Sequence, residues 1–192
     1  IHTTALPTRM GSPAYADFTP PRDAACVSRL VDAGGYAFGK TVTTELAFMH
    51  PGKTRNPWNA AHTPGGSSQG SAAAVAAGHV PAALGTQTNG SVVRPAAYCG
   101  VVGFKPTLGI IPFDGVGLFS QTLDTIGTFT RTVADAALVA GPLALGTIPR
   151  RLVAMDRAPW VPKPNAWTKA QLLEWVAHVR ARGLEPIPEV KL

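Results

Sequence analysis

A chain of 192 residues that is 45% hydrophobic is long enough to bury one sizeable core and fits a single domain. Lys and Arg outnumber Asp and Glu by 17 to 11, yet the only adjacent basic pair is Arg150-Arg151. That scatter argues against a nucleic-acid footprint, which gathers basic side chains on one face or groove. Cys26 and Cys99 are too few for a disulfide framework and sit in no Cys-x-x-Cys or Cys/His metal spacing, so a cytoplasmic compartment is expected. No apolar run reaches the roughly 18 residues of a membrane span. Ile1-His2-Thr3-Thr4 is no signal peptide and no initiator Met stands before it, so the chain is expected to start inside a longer protein.

Residues 23–33 place Val27, Leu30 and Val31 at helical spacing before Gly34-Gly35, which predicts a helix with a glycine stop. Tyr36-Ala37-Phe38 reads as a short buried strand. Gly34 to Thr41 also satisfies the phosphate-loop pattern G-x-x-x-x-G-K-[ST], but that loop must follow a strand and open a helix. Here a helix precedes it, so the pattern is set aside. Ser71–Ala77 predicts an Ala-rich helix ending at Gly78, and Val80–Leu84 a strand running into a Gly/Ser loop. Thr132-Val133-Ala134-Asp135 is a capping box opening a helix over Val133–Ala140. Beyond it come a strand at Leu152–Met155 and a helix opened by Thr168 that carries Leu172, Trp175, Val176 and Val179 and closes at Gly183. Leu184–Val190 reads as an edge strand, because Pro186 and Pro188 remove ladder donors. Alternation of this kind predicts an α/β fold.

Two glycine-rich runs carry the chemistry: Thr63-Pro64-Gly65-Gly66-Ser67-Ser68-Gln69-Gly70-Ser71 and Gly85-Thr86-Gln87-Thr88-Asn89-Gly90-Ser91. Glycine permits positive φ and close approach of N–H groups, so a serine closing such a run carries its hydroxyl beside a cluster of amide donors. Either run alone reads as well as a tight turn; the two together point to a hydrolase site. His2, His50, His62, His79 and His178 lack any supporting motif for a Ser-His-Asp triad, and Asn89-Gly90-Ser91-Val92-Val93 is not the G-x-S-x-G elbow. No H-E-x-x-H or equivalent spacing appears, so no metal is expected.

With Cys99-Gly-Val-Val-Gly-Phe-Lys-Pro-Thr107 and the stretch from Gln121 through Leu123-Asp124 to Ala137, these runs make the chain resemble the amidase signature family. The likeness is strong over residues 63–140. It weakens upstream, through Gly39-Lys40-Thr41 and Glu45, and downstream from Arg151 to Leu192. The resemblance implies a three-layer α/β/α sandwich around a mixed β-sheet, incomplete at both ends, with residues 1–192 forming one partial domain. It implies a Ser-cisSer-Lys triad: Ser91 as nucleophile, and Ser67, after a cis peptide bond from Gly66, as the bridging serine. Backbone amides of Thr88, Asn89, Gly90 and Ser91 would form the oxyanion hole, with Ser68, Gln87 and Arg94 in support.

The implied activity is hydrolysis of a carboxylic amide through an acyl-serine, with no cofactor, a small-molecule amide as substrate, no direct nucleic-acid or membrane partner, and a homodimer left open. Two alternatives stand beside it: the glutaminase subunit of a tRNA-dependent amidotransferase, and a non-catalytic binding module. The chain departs from the family pattern in several places. Gln69 and Asn89 replace usual glycines, Gln87 replaces the common aspartate, and Arg94 falls one position late. The family's catalytic lysine belongs upstream of Ile1, while Lys40 and Lys105 fall in elements that imply structural roles. The 192 residues alone are therefore expected to be inactive.

Overall fold

The computed structural model of the protein describes residues 1–145. The strands at 152–155 and 184–190 and the helix opened by Thr168 lie outside the described residues. Four helices and three strands follow one another as α1 (Ala25–Asp32), α2 (Gln69–Ala76), β1 (Ala82–Gln87), α3 (Val93–Cys99), β2 (Val102–Phe104), β3 (Thr125–Thr130) and α4 (Val133–Leu145), with single 3₁₀ turns at Pro13–Tyr15 and Glu45–Ala47.

β3 is the centre of the described sheet, with β1 on one side and β2 on the other, both antiparallel to it. Ala82 faces Thr130 and Gln87 faces Thr125 across the β1–β3 ladder. The β1–α3–β2 crossover therefore returns β2 in the direction of β1, leaving a gap that β3 fills. Side chains alternate across a strand, and β3 uses both faces: all six of its residues are buried. Ile126, with Leu84 of β1, packs on Cys26 and Val27 of α1 and Leu143 of α4. Phe129, with Ala83, packs against Ala72 and Val75 of α2 and Ala96 and Cys99 of α3. Helices thus cover both sides, and the described part is an α/β/α sandwich, incomplete, whose strand pairs are all antiparallel.

Local chemistry accounts for most element ends. α1 stops at Ala33 and Gly34, where φ is +90°, with Gly35 N–H donating to Leu30 O at 2.8 Å. Its Val27 is buried, whereas Val31, named with it for helical spacing, is 48% exposed. Pro95 is accommodated in the first turn of α3, where a missing N–H costs no helical bond. α4 opens as its capping residue implies, with Asp135 N–H donating to Thr132 Oγ1 at 3.1 Å. It runs past the expected end at Ala140 to Leu145 despite Pro142. Arg29 on α1 holds that extension, donating to Leu143 O and Ala144 O at 2.7 and 3.2 Å. Tyr36 and Phe38 do not form the expected buried strand; they are 75% and 70% exposed and pack edge-on against each other. A strand needs a neighbour for its N–H and C=O groups, and the three-stranded ladder does not include them.

Among the described residues, no helix is long and apolar enough to cross a membrane.

Truncating Phe129 should remove the ring on which α2 and α3 converge. Phe129→Ala is expected to lower stability by about 3–5 kcal/mol in urea denaturation. Burial lifts the Cys26 thiol from an ordinary 9.0 to about 11, partly offset by the Val27 backbone N–H and by Lys40. The folded state then holds a proton that the unfolded chain has lost, so stability is complete below pH 9 and falls as pH rises toward 11. That slope, worth up to about 3 kcal/mol, should vanish in Cys26→Ala when melts are compared across the window.

Candidate functional site

The first serine loop is held from below by three carbonyl contacts. Ser67 O accepts from Thr44 N–H at 3.0 Å, Thr43 Oγ1 at 3.1 Å and Gln69 N–H at 2.8 Å. The strap carrying Thr43 and Thr44 is sewn on further by Gly70 N–H to Val42 O at 2.8 Å and by a 2.7 Å contact between Thr41 Oγ1 and Ser71 Oγ. Before Ser67 the chain turns at Gly65, where φ is +77° and a Cβ would lie 2.9 Å from Pro95 Cα. The Gly66–Ser67 peptide bond is cis.

Ser68 joins this loop to the sheet and to the second serine. Its Oγ donates to Thr86 O and accepts from Thr86 N–H, each at 3.2 Å, and its N–H donates to Ser91 O at 3.3 Å. Ser71 Oγ continues the seam by donating to Leu84 O at 2.7 Å. Thr86 N–H, Thr86 O and Leu84 O, part of what would otherwise be an open edge of β1, are thereby occupied by hydroxyls. The seam requires Gly85 between its two anchor points, because a Cβ there would sit 2.5 Å from Ser68 Oγ and 2.7 Å from the Phe129 ring.

The second loop is fixed at both ends. Gln87 Oε1 accepts from Val92 N–H at 2.8 Å and Val93 N–H at 2.9 Å, capping the start of α3. A neutral amide oxygen performs this task, so the clasp requires no carboxylate at position 87. At the other end Thr88 Oγ1 donates to Asp124 Oδ1 at 2.5 Å, while Asp124 Oδ2 accepts from Phe119 and Ser120 N–H at 2.6 and 2.8 Å. Between these clasps, the N–H groups of Thr88, Asn89, Gly90 and Ser91 donate to no acceptor among the described residues. Gly90 O accepts from Arg94 N–H at 2.8 Å; the Arg94 side chain lies against Gly90 and is exposed to solvent.

Ser67 and Ser91 are 4% and 8% exposed, and no hydrogen bond within the described residues engages either hydroxyl. Two uncommitted hydroxyls on adjoining loops, beside unclaimed amides, form a site able to receive a polar ligand. Gln69 beside them is 1% exposed, and its Nε2 has no partner among the described residues. Lys40 Nζ donates to Ile1 O and to Thr8 Oγ1, and burial holds its pKa below the usual lysine value, with Cys26 and Asp23 opposing the shift. Lys105 Nζ donates to Pro106 O at 2.5 Å. Among the described residues no three His, Cys, Asp or Glu side chains converge on one point.

Sequence reasoning placed both serine runs but gave no role to Thr43, Thr44 or Asp124. Asp124 stood inside a motif already singled out; the threonines carried no signal of their own.

The amidase family model matches residues 1–150. A glutamyl-tRNA(Gln) amidotransferase subunit of Halothermothrix orenii is 44% identical over 165 residues, covering 82% of this chain and 34% of that protein. Among solved structures, the corresponding glutamyl-tRNA(Gln) amidotransferase subunit of Thermotoga maritima superposes with a TM-score of 0.71 at 41% identity, over 75% of this chain and 33% of that one. Native peptide amidase from Stenotrophomonas maltophilia superposes with a TM-score of 0.72 at 38% identity, over 90% and 36%. These likenesses define an α/β protein related to amidases and amidotransferase subunits. The chain belongs to the amidase family, and it spans about a third of the length of the curated relatives it matches.

Because Ser68 seats against a bare Gly85, Gly85→Ala is expected to push the serine seam off β1. Overpacking of this kind costs about 1–3 kcal/mol, readable as a lower urea midpoint; an unchanged midpoint would show the seam to be slack.

Proposed function

We propose that the full-length protein hydrolyses a carboxylic amide. Ser91 Oγ attacks the substrate carbonyl, the amides of Thr88, Asn89, Gly90 and Ser91 receive the developing oxyanion, and ammonia or an amine leaves. Water then releases the acid from acyl-Ser91. Ser67 relays the proton between Ser91 and a neutral lysine, and Ser68, Gln87 and Arg94 support the two loops. Lys40 and Lys105 are hydrogen-bonded elsewhere, so neither is assigned the relay, and the 192 residues alone are expected not to turn over amides.

The observation that carries this reading is the run of unclaimed N–H groups from Thr88 to Ser91, on a loop tied to that of Ser67 through Ser68. Preorganised donors of this kind act where charge develops, and losing one typically costs about a hundred- to a thousandfold in rate. Cys26 and Cys99 are both free and buried, which supports a cytoplasmic setting.

A second reading is favoured by the 44% identity to a glutamyl-tRNA(Gln) amidotransferase component: release of ammonia from glutamine for a partner protein. Gln87 and Asn89 depart from the usual loop of that component. Steady-state kinetics of the full-length protein separate the two. Turnover of simple aliphatic or aryl amides by the protein alone supports the first, whereas glutaminase activity that appears only with a partner supports the second. In either case Ser91→Ala should fall to background, and Ser67→Ala should lose about a hundred- to ten-thousandfold in kcat, as for loss of an acid–base group. Undiminished turnover by Ser91→Ala would refute both.

A further inference from the structure

Asp124 is buried, being 6% exposed, and its carboxylate is engaged on both oxygens, by Thr88 Oγ1 on one and the N–H groups of Phe119 and Ser120 on the other. It lies one residue before β3, whose first residue, Thr125, pairs with Gln87 at the end of β1. The strand ladder thus brings it beside the first residue of the nucleophile loop. We propose that Asp124 is a positioning residue: through the hydroxyl of Thr88 it holds the Thr88–Ser91 amides in the orientation that receives the oxyanion. The inference rests on the proposed amide hydrolysis.

Three features make this clasp more than a structural tie. A hydrogen bond to an ionised carboxylate is shorter and about twice as strong as a neutral one, and at 2.5 Å the Thr88–Asp124 contact is of that short kind. The Gly90–Ser91 peptide is held through Gly90 O by Arg94 N–H, but among the described residues the Thr88–Asn89 and Asn89–Gly90 peptides make no backbone hydrogen bond that would oppose their rotation. The far end of the loop is already fixed by Gln87, which leaves Thr88 as the point where its remaining freedom is removed. An aspartate supplies the acceptor on each side that the geometry uses. Asparagine would have to turn its amide oxygen toward Phe119 and Ser120 and donate to Thr88, reversing the polarity of the clasp.

The test uses the full-length protein and an alkyl fluorophosphonate probe, whose phosphonyl oxygen takes the place of the oxyanion. Labelling by attack of the serine hydroxyl forms the O–P bond and expels fluoride. Saturation kinetics separate the maximal labelling rate from the probe concentration at half-saturation. Thr88→Val, which keeps shape and removes the donor, should lower the maximal rate about ten- to a hundredfold. Half-saturation should stay near the parent's, while the melting temperature falls by a few degrees because Asp124 Oδ1 loses its donor. Thr88→Ser should recover most of that loss. Once Thr88 is Val, adding Asp124→Asn should lower the rate little further, because coupled residues are non-additive. A Thr88→Val rate within twofold of the parent, a loss that Thr88→Ser does not recover, or additive effects would overturn the inference alone. A parent protein that does not label, or labelling that survives Ser91→Ala, would overturn the nucleophile assignment and this inference with it.

Discussion

Two loops distant in sequence become one site through Ser68. Its hydroxyl bonds both backbone groups of Thr86, and its N–H reaches Ser91 O, so a single residue registers the first serine loop against β1 and against the second serine. Those bonds form only because Gly85 leaves the strand surface bare and because the Thr43–Thr44 strap grips Ser67 O from the opposite side. Loss of the Ser68 seam would leave β1 with an open edge and Ser67 free to move relative to Ser91.

The sheet gives that seam its rigidity. β3 is buried on both faces, with Ile126 toward α1 and α4 and Phe129 toward α2 and α3, so the strand that orients β1 is fixed by two separate cores. The same strand positions Asp124, and β1 positions Gln87, so the loop from Thr88 to Ser91 is clasped at each end by a residue flanking a strand. Sites assembled on strands and helices hold geometry better than sites on loops alone. Here loop residues with unclaimed amides borrow their precision from strand ends.

What the sequence disclosed was mainly local. Glycine and serine at close spacing marked Ser67 and Ser91, alanine content marked α2, and Thr132 marked the start of α4. β3 escaped notice because Thr125-Ile126-Gly127-Thr128-Phe129-Thr130 lacks the apolar run expected of a strand buried on both faces. Its Gly127 is dictated by the Phe104 carbonyl, 2.6 Å from where a Cβ would lie, which only the fold shows. Tyr36 and Phe38 misled in the opposite way: their alternation fits a strand, but strand identity depends on a pairing partner. The contacts from Thr43 to Ser67 and from Thr88 to Asp124 span 24 and 36 residues, and no local pattern encodes them.

The central claim is that Ser91, and not Ser67, carries the acyl group. Acid quenching of the full-length protein during turnover of an activated aryl amide, followed by peptide mass mapping, reads this directly. An acyl adduct on the peptide holding Ser91, at near one per molecule and absent from Ser91→Ala, is the result expected. An adduct on Ser67, or turnover with no serine adduct at all, would contradict it.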